Sequence, residues 1–232
     1  MNAERLMVRE LDDLLSRSLS QTRRRLLNVG AGASVTIERR LKHLRPSDSI
    51  DRVDIEATQV EHPNCGRTWQ CSVEHMPDVA SSLYDAVFAN FVLEHVRDLG
   101  SAASEIRRVL KPGGAFVATV PNTASPEFLV ARHTPQAFHQ FVRRGQAWDT
   151  AYSYRSVDEL VAIFAEAGFQ PHRRAFFPVV GRYLAGYPVL STLGGLWDRL
   201  VSAAGITRLM GEVCLVLTAP SRSTEETPSW VV

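Results

Sequence analysis

Leu26-Leu27-Asn28-Val29-Gly30-Ala31-Gly32-Ala33-Ser34 is an apolar run that breaks into alternating small residues. It predicts a buried strand, a tight glycine turn and the start of a helix, the arrangement by which open α/β sheets hold a nucleotide-like ligand at the carboxyl edge of their strands. Glycine supplies positive φ and lets backbone approach a ligand with no β-carbon between them. The turn by itself therefore points to a cofactor site.

Outward from that turn, strand-like and helix-like segments alternate. Strands are expected near 25–30, 50–55, 67–71, 84–90 and 114–120, and helices near 34–44 and 101–110. Such alternation favours a parallel sheet with helices on both faces. Before the first strand, Leu6, Leu11, Leu14, Leu15 and Leu19 share one face of a helix over 4–19, a cover within residues 1–24. Lys111-Pro112-Gly113-Gly114 stops the helix carrying Ile106, Val109 and Leu110. Ser156 begins another helix through Ala167, with Glu159 completing a capping-box pattern and Gly168 suited to its end. Residues 169–180 and 211–218 read as a late strand pair. The main domain is expected over 25–220, with a late cap at 181–210. Residues 121–155 fit no strand-helix repeat, which is where an acceptor lid is expected, and the Ser, Thr and Pro-rich 221–232 reads as a loose tail.

Twenty-six basic against 25 acidic residues leave a net charge of +1, which gives no global field for nucleic acid or an anionic membrane. The arginine clusters 23–25, 143–144 and 173–174 lack the interleaved aromatics of a nucleic-acid surface and read as solvated flanks. Cys65, Cys71 and Cys214 are odd in number and lack metal-type spacing, so a reducing, cytoplasmic setting is expected. The N-terminus has no continuous apolar signal core. The late apolar segment 183–197 is interrupted by Gly186, Pro188, Gly194 and Gly195 and is too short to span a bilayer. It reads as a cap or an interface, and a homodimer is compatible with it.

Six segments in this order resemble the class I S-adenosylmethionine-dependent methyltransferases, particularly those acting on small molecules. They are Asn28-Val29-Gly30-Ala31-Gly32, Val53-Asp54-Ile55-Glu56, Ser72-Val73-Glu74-His75-Met76-Pro77, Tyr84 to Asn90, Val92-Leu93-Glu94-His95-Val96 and Arg108 to Gly114. The resemblance implies a Rossmann-like, seven-stranded, mostly parallel sheet whose last strand is antiparallel and inserted beside its neighbour. It implies S-adenosylmethionine as cofactor, with contacts at Asn28, Gly30, Ala31, Gly32, Asp54, Ile55, Ser72, Val73, Glu74, Asn90 and Phe91. Asp54, 22 positions after Gly32, would accept from both ribose hydroxyls. Ser72 stands where the family usually has an aspartate facing the adenine amino group. Asn28 stands where many relatives carry an acid, and Ser34 where a third glycine is common.

Methyl transfer is an in-line displacement, so positioning supplies much of the acceleration, and an alcohol acceptor must also lose a proton. His95 is the candidate general base, because imidazole titrates near neutral pH and the residue follows the fourth strand at the ligand edge. Glu94 and His95 are also similar to the Glu-His pair of quinone-pathway O-methyltransferases that bind a divalent ion. Phe91 stands where those enzymes place a third ligand and cannot ligate, so metal at Glu94 and His95 is the weaker expectation. The acceptor pocket is expected to draw on His95, His133, His139, Trp148, Tyr152 and Tyr154. The expected activity is O-methylation of a small hydroxylated molecule: a sugar derivative, a natural product or a quinone precursor. Two rival readings are a non-catalytic binding or partner subunit, favoured by Asn28, Ser34 and Ser72, and an NAD-dependent oxidoreductase. The latter needs a third glycine at the sixth position of its motif, where this chain has Val35.

Overall fold

The computed structural model describes residues 1–17, 23–56, 58–126 and 153–221. Seven strands form one sheet: β1 (Arg25–Val29), β2 (Ser49–Asp54), β3 (Cys65–Gln70), β4 (Tyr84–Asn90), β5 (Leu110–Pro121), β6 (Gln170–Phe177) and β7 (Glu212–Thr218). Their order is β3-β2-β1-β4-β5-β7-β6. The first five run parallel, and β7 pairs antiparallel with both β5 and β6. This is the expected Rossmann-like sheet with its late strand inserted.

Helix α1 (Ala3–Arg17) lies on one face. It buries Ala3, Leu6, Met7, Leu11 and Leu15 with Leu26, Ile50, Phe88, Val117 and Val216 of the strands. Leu14, expected on that face, is instead exposed. Helices α2 (Leu99–Val109) and α3 (Val157–Glu166) bury Ile106, Val109, Leu160 and Phe164 in the opposite core with Leu27, Val87, Phe116 and Leu215. Asp98 caps α2 by accepting from the Ser101 N–H at 2.9 Å, and Ser156 caps α3 by accepting from the Glu159 N–H at 3.1 Å. After β6 come α4 (Val180–Tyr183) and α5 (Pro188–Ala204), packed tightly through Gly181, Gly194 and Gly195. Arg182 pairs with Glu212 of β7, and the Asp198 carboxylate accepts from the N–H groups of Val180 and Gly181. The other side of α5 leaves Val189, Leu193, Leu196, Trp197 and Leu200 exposed. No described helix is long and apolar enough to cross a membrane.

The helix expected at 34–44 is replaced by a short 3-10 turn at Glu38–Arg40. Val35, Thr36 and Ile37 are β-branched, which weakens helix formation. The Arg52 guanidinium also donates to the carbonyls of Ala31, Gly32 and Ser34, which fixes the backbone leading into the segment. Ile37 and Leu41 still anchor the segment in the α1 core. Its far end is held by Arg24, which pairs with buried Asp48 and donates to the carbonyls of Leu15 and His43. Burial pushes the thiols of Cys65, Cys71 and Cys214 up, the last to about 12.

Burial raises the Asp48 pKa, but hydrogen bonds from the Arg24 side chain and from the Arg45 and Arg24 N–H groups outweigh it, so the carboxyl sits below its ordinary 3.8. A carboxyl depressed in the folded state stabilises above its unfolded pKa, and that contribution is lost as pH falls through the folded value. Asp48→Asn, which strands buried Arg24, is expected to cost roughly 3–5 kcal/mol near pH 7. Urea unfolding followed from pH 7 to pH 3 should show the difference from wild type shrinking below about pH 4.

Candidate functional site

The carboxyl ends of β1, β2, β3 and β4 converge, as the rule for open α/β sheets requires of a ligand edge. The turn after β1 has Gly30 at φ 65° and Gly32 at φ 53°. A β-carbon on Gly30 would stand 2.3 Å from Val92 Cγ2, so only glycine lets the loop after β4 close against the turn. At Gly32 a β-carbon would meet nothing within 4 Å, so this side of the turn is open.

Asp54 at the tip of β2 joins the turn directly. Its Oδ2 accepts from the Gly32 N–H at 2.8 Å and its Oδ1 from the Glu56 N–H at 2.9 Å, leaving further lone pairs on both oxygens. Ile55 beside it is 65% exposed, an apolar face at the rim. The Asp54 carbonyl accepts from the Cys71 N–H at 3.0 Å, which brings Ser72 alongside. Ser72 Oγ donates to Glu74 Oε2 and accepts from the Glu74 N–H, both at 3.2 Å, so one lone pair remains for a further donor. Val73 is buried. The other Glu74 oxygen accepts from the N–H groups of Arg97 and Asp98, so its side chain braces the entry to α2. The expected cofactor residues of these three tips thus form a connected rim.

The loop after β4 closes the ring. Phe91 is held at φ 55°, strained for a bulky residue, with its N–H donating to both the carbonyl and the hydroxyl of Thr119 at 3.1 Å. Asn90 accepts from the Thr119 hydroxyl at 2.6 Å and donates to Glu4 Oε2 at 3.2 Å, while Glu4 also pairs with Arg40. The first turn of α1 therefore reaches the site, a contact with no local sequence signal. Leu93, Glu94 and His95 form a 3-10 turn in which Glu94 is buried and His95 exposed. The two adjacent side chains of the expected metal pair thus face different surroundings. Among the described residues no three His, Cys, Asp or Glu side chains converge on a metal position.

Of the expected acceptor residues, His133, His139, Trp148 and Tyr152 lie outside the described residues. Tyr154 is a correction: it is 1% exposed in the α2/α3 core and its hydroxyl donates to the Pro121 carbonyl at 3.0 Å, so it packs the domain instead of walling a pocket. Asn28 does not face the open side either. It lies opposite Arg52 across β1 and β2 and donates from Nδ2 to Glu38 Oε1 at 2.8 Å, while Glu38 pairs with Arg52. Sequence reasoning missed Glu38 and Arg52. The available signal was an arginine inside the strand Ile50-Asp51-Arg52-Val53, where a charge needs a buried partner.

A family model described as a methyltransferase domain matches residues 2–173. The chain belongs to that family. Its fold is that of the class I enzymes, whose cofactor is S-adenosylmethionine. The [4+2]-cyclase SpnF is similar in structure, with TM-score 0.57 at 19% identity over 94% of this chain and 81% of that one. Phosphoethanolamine N-methyltransferase 2 of Haemonchus contortus, solved with phosphomonomethylethanolamine and S-adenosylhomocysteine, has TM-score 0.55 at 14% identity over 92% of this chain and 52% of that one. An uncharacterized 37.1 kDa protein in transposon TN4556 of Streptomyces fradiae is 26% identical over 161 residues, 61% of this chain. This chain covers 47% of that relative, about half its length.

Gly30→Ala should destabilise this methyltransferase domain by about 2–4 kcal/mol through left-handed strain and overpacking on Val92. Gly32→Ala, with strain alone, should cost about 1 kcal/mol. Equilibrium unfolding of the two variants side by side tests that order.

Proposed function

We propose that this protein transfers a methyl group from S-adenosylmethionine to a hydroxyl oxygen of a small molecule such as a sugar derivative, natural product or quinone precursor. The convergence of Asp54 on the Gly32 N–H, with Ser72 alongside, carries the proposal. These groups fit the cofactor chemically. The Asp54 carboxylate keeps lone pairs for ribose hydroxyls, Ser72 keeps one for the adenine amino group, and exposed Ile55 offers the adenine ring an apolar face. When bound, S-adenosylmethionine supplies a methyl group on a sulfonium, already electrophilic. The protein has to hold an acceptor in line and take its proton.

His95 is exposed on the 3-10 turn that follows Asn90, Phe91 and Val92, which supports its role as the group that takes the acceptor's proton. Val92 packs that turn against Gly30 of the cofactor loop, while the Phe91 N–H anchors it to Thr119 of β5, so base and cofactor site share one frame. A near-neutral chain supports a small-molecule acceptor over nucleic acid. Three free cysteines support a reducing, cytoplasmic setting, and the exposed row on α5 is the surface for the expected homodimer.

A second reading keeps the cofactor and drops the methylation. SpnF shows that the same fold accompanies a cyclase, and Asn28 and Ser72 depart from the usual family residues. Incubating the protein with S-adenosylmethionine and a panel of hydroxylated acceptors, read by mass spectrometry, separates the two. A methyl mass increase on an acceptor supports transfer, and tight S-adenosylhomocysteine binding with no product across the panel favours the binding subunit.

Asp54→Ala should weaken S-adenosylhomocysteine binding about 10- to 100-fold by calorimetry, as expected for lost hydrogen bonds to a charged group. On an acceptor that is turned over, His95→Gln should lower kcat by roughly 10²- to 10⁴-fold with cofactor affinity kept. Full activity of His95→Gln at neutral pH would remove the base assignment.

A further inference from the structure

Beneath the glycine turn, on the side away from the open edge, lies a fully buried cluster. Arg52 and Glu38 are each 1% exposed and Asn28 is 5% exposed. Arg52 stands opposite Asn28 across β1 and β2, and Glu38 closes over both from the segment that follows the turn. One nitrogen of Arg52, Nη2, donates to the carbonyls of Ala31 at 2.9 Å, Gly32 at 3.0 Å and Ser34 at 2.9 Å.

This has a geometric consequence for the open side. In a planar trans peptide the C=O and the following N–H point in opposite directions. Drawing the carbonyls of Ala31, Gly32 and Ser34 inward therefore turns the N–H groups of Gly32, Ala33 and Val35 outward. The Gly32 N–H does point that way, where the Asp54 carboxylate at the rim takes it, which leaves the Ala33 and Val35 N–H groups to meet a further anion. Successive outward N–H groups make a concave site for an anion. A helix N-terminus following the turn would ordinarily present such groups, but here residues 34–37 form no helix.

Resting on the cofactor reading above, we propose that Arg52, held by Glu38 and Asn28, is a positioning residue. It substitutes for the absent helix and presets the turn to receive the carboxylate of the cofactor's amino-acid end. Stability alone is a poor account of the cluster. A buried ion pair roughly breaks even against apolar packing unless all its groups are satisfied, and Glu38 Oε2 is buried with no hydrogen-bond partner. Lysine does not replace Arg52, because Nη2 serves the three carbonyls while Nη1 pairs with Glu38, and a single ammonium cannot occupy both arms of that fork. The acid that meets Asn28 is Glu38, ten residues on.

The test compares two ligands that share adenosine and differ in the amino-acid end: S-adenosylhomocysteine, and 5′-methylthioadenosine, which lacks the carboxylate. Calorimetry on the full chain is expected to show Arg52→Lys weakening S-adenosylhomocysteine at least about tenfold while 5′-methylthioadenosine changes less than about twofold. Glu38→Gln, which keeps shape and a hydrogen bond to the cluster, is expected to shift the same ratio by roughly three- to tenfold and serves if Arg52→Lys does not fold. Equal losses for both ligands, or no loss for either, would overturn the positioning role. Failure of the wild-type chain to bind S-adenosylhomocysteine would instead overturn the cofactor reading on which it rests.

Discussion

The structure turns on the buried contact between Arg52 and Glu38 under the glycine turn. A guanidinium taken out of water is costly unless it is paired and its donors are used. Here Glu38 supplies the pair, and three main-chain carbonyls of the turn use one donor nitrogen. These bonds fix the backbone of the turn, and the segment after it runs as a strap of turns ending in the 3-10 turn at Glu38–Arg40. The conformation of that segment, the orientation of the glycine turn and the placement of Asn28 are tied to that one interaction.

Other arginines repeat the device around the sheet. Arg24 ties the end of α1 and the strap to Asp48, and Arg108 on α2 donates to the carbonyls of Met76 and Val79 while pairing with Glu105. Asp51, buried between β1, β2 and β4, accepts from Arg25, from the Arg67 N–H and from the Tyr84 hydroxyl. Main-chain groups in irregular connections must be satisfied when buried. Long side chains reaching from neighbouring strands and helices do so here, which lets the α1 face be covered by one helix and a strap.

Much of this architecture was legible in the chain. Apolar runs of β-branched and aromatic residues bounded by Gly, Pro and Asp marked the strands, and the stop at Lys111 to Gly114 and the caps at Ser156 and Gly168 marked helix ends, because these are local preferences. The expected helix at 34–44 failed because its amphipathic spacing is compatible with a strap that buries Ile37, Glu38 and Leu41. The hydrogen-bond donor that fixes its start lies 18 residues beyond Ser34, on another strand. Tyr154 misled for a related reason. Its composition suits a pocket wall, and only the position of the Pro121 carbonyl shows that its hydroxyl is already used inside the core.

The sequence by itself determined the alternation of strands and helices, the glycine turn, the acid at 54 and the family that these motifs share in order. Each of these is written in short-range spacing, where period, propensity and turn chemistry act within a few residues. Only the tertiary structure decided that Gly30 is glycine because Val92 lies on it, that Glu74 braces the entry to α2, and that Asn28 looks inward to Glu38 and Arg52. Those roles depend on which strands become neighbours. Strand pairing places side chains far apart in the chain within hydrogen-bonding distance, and no local pattern records it.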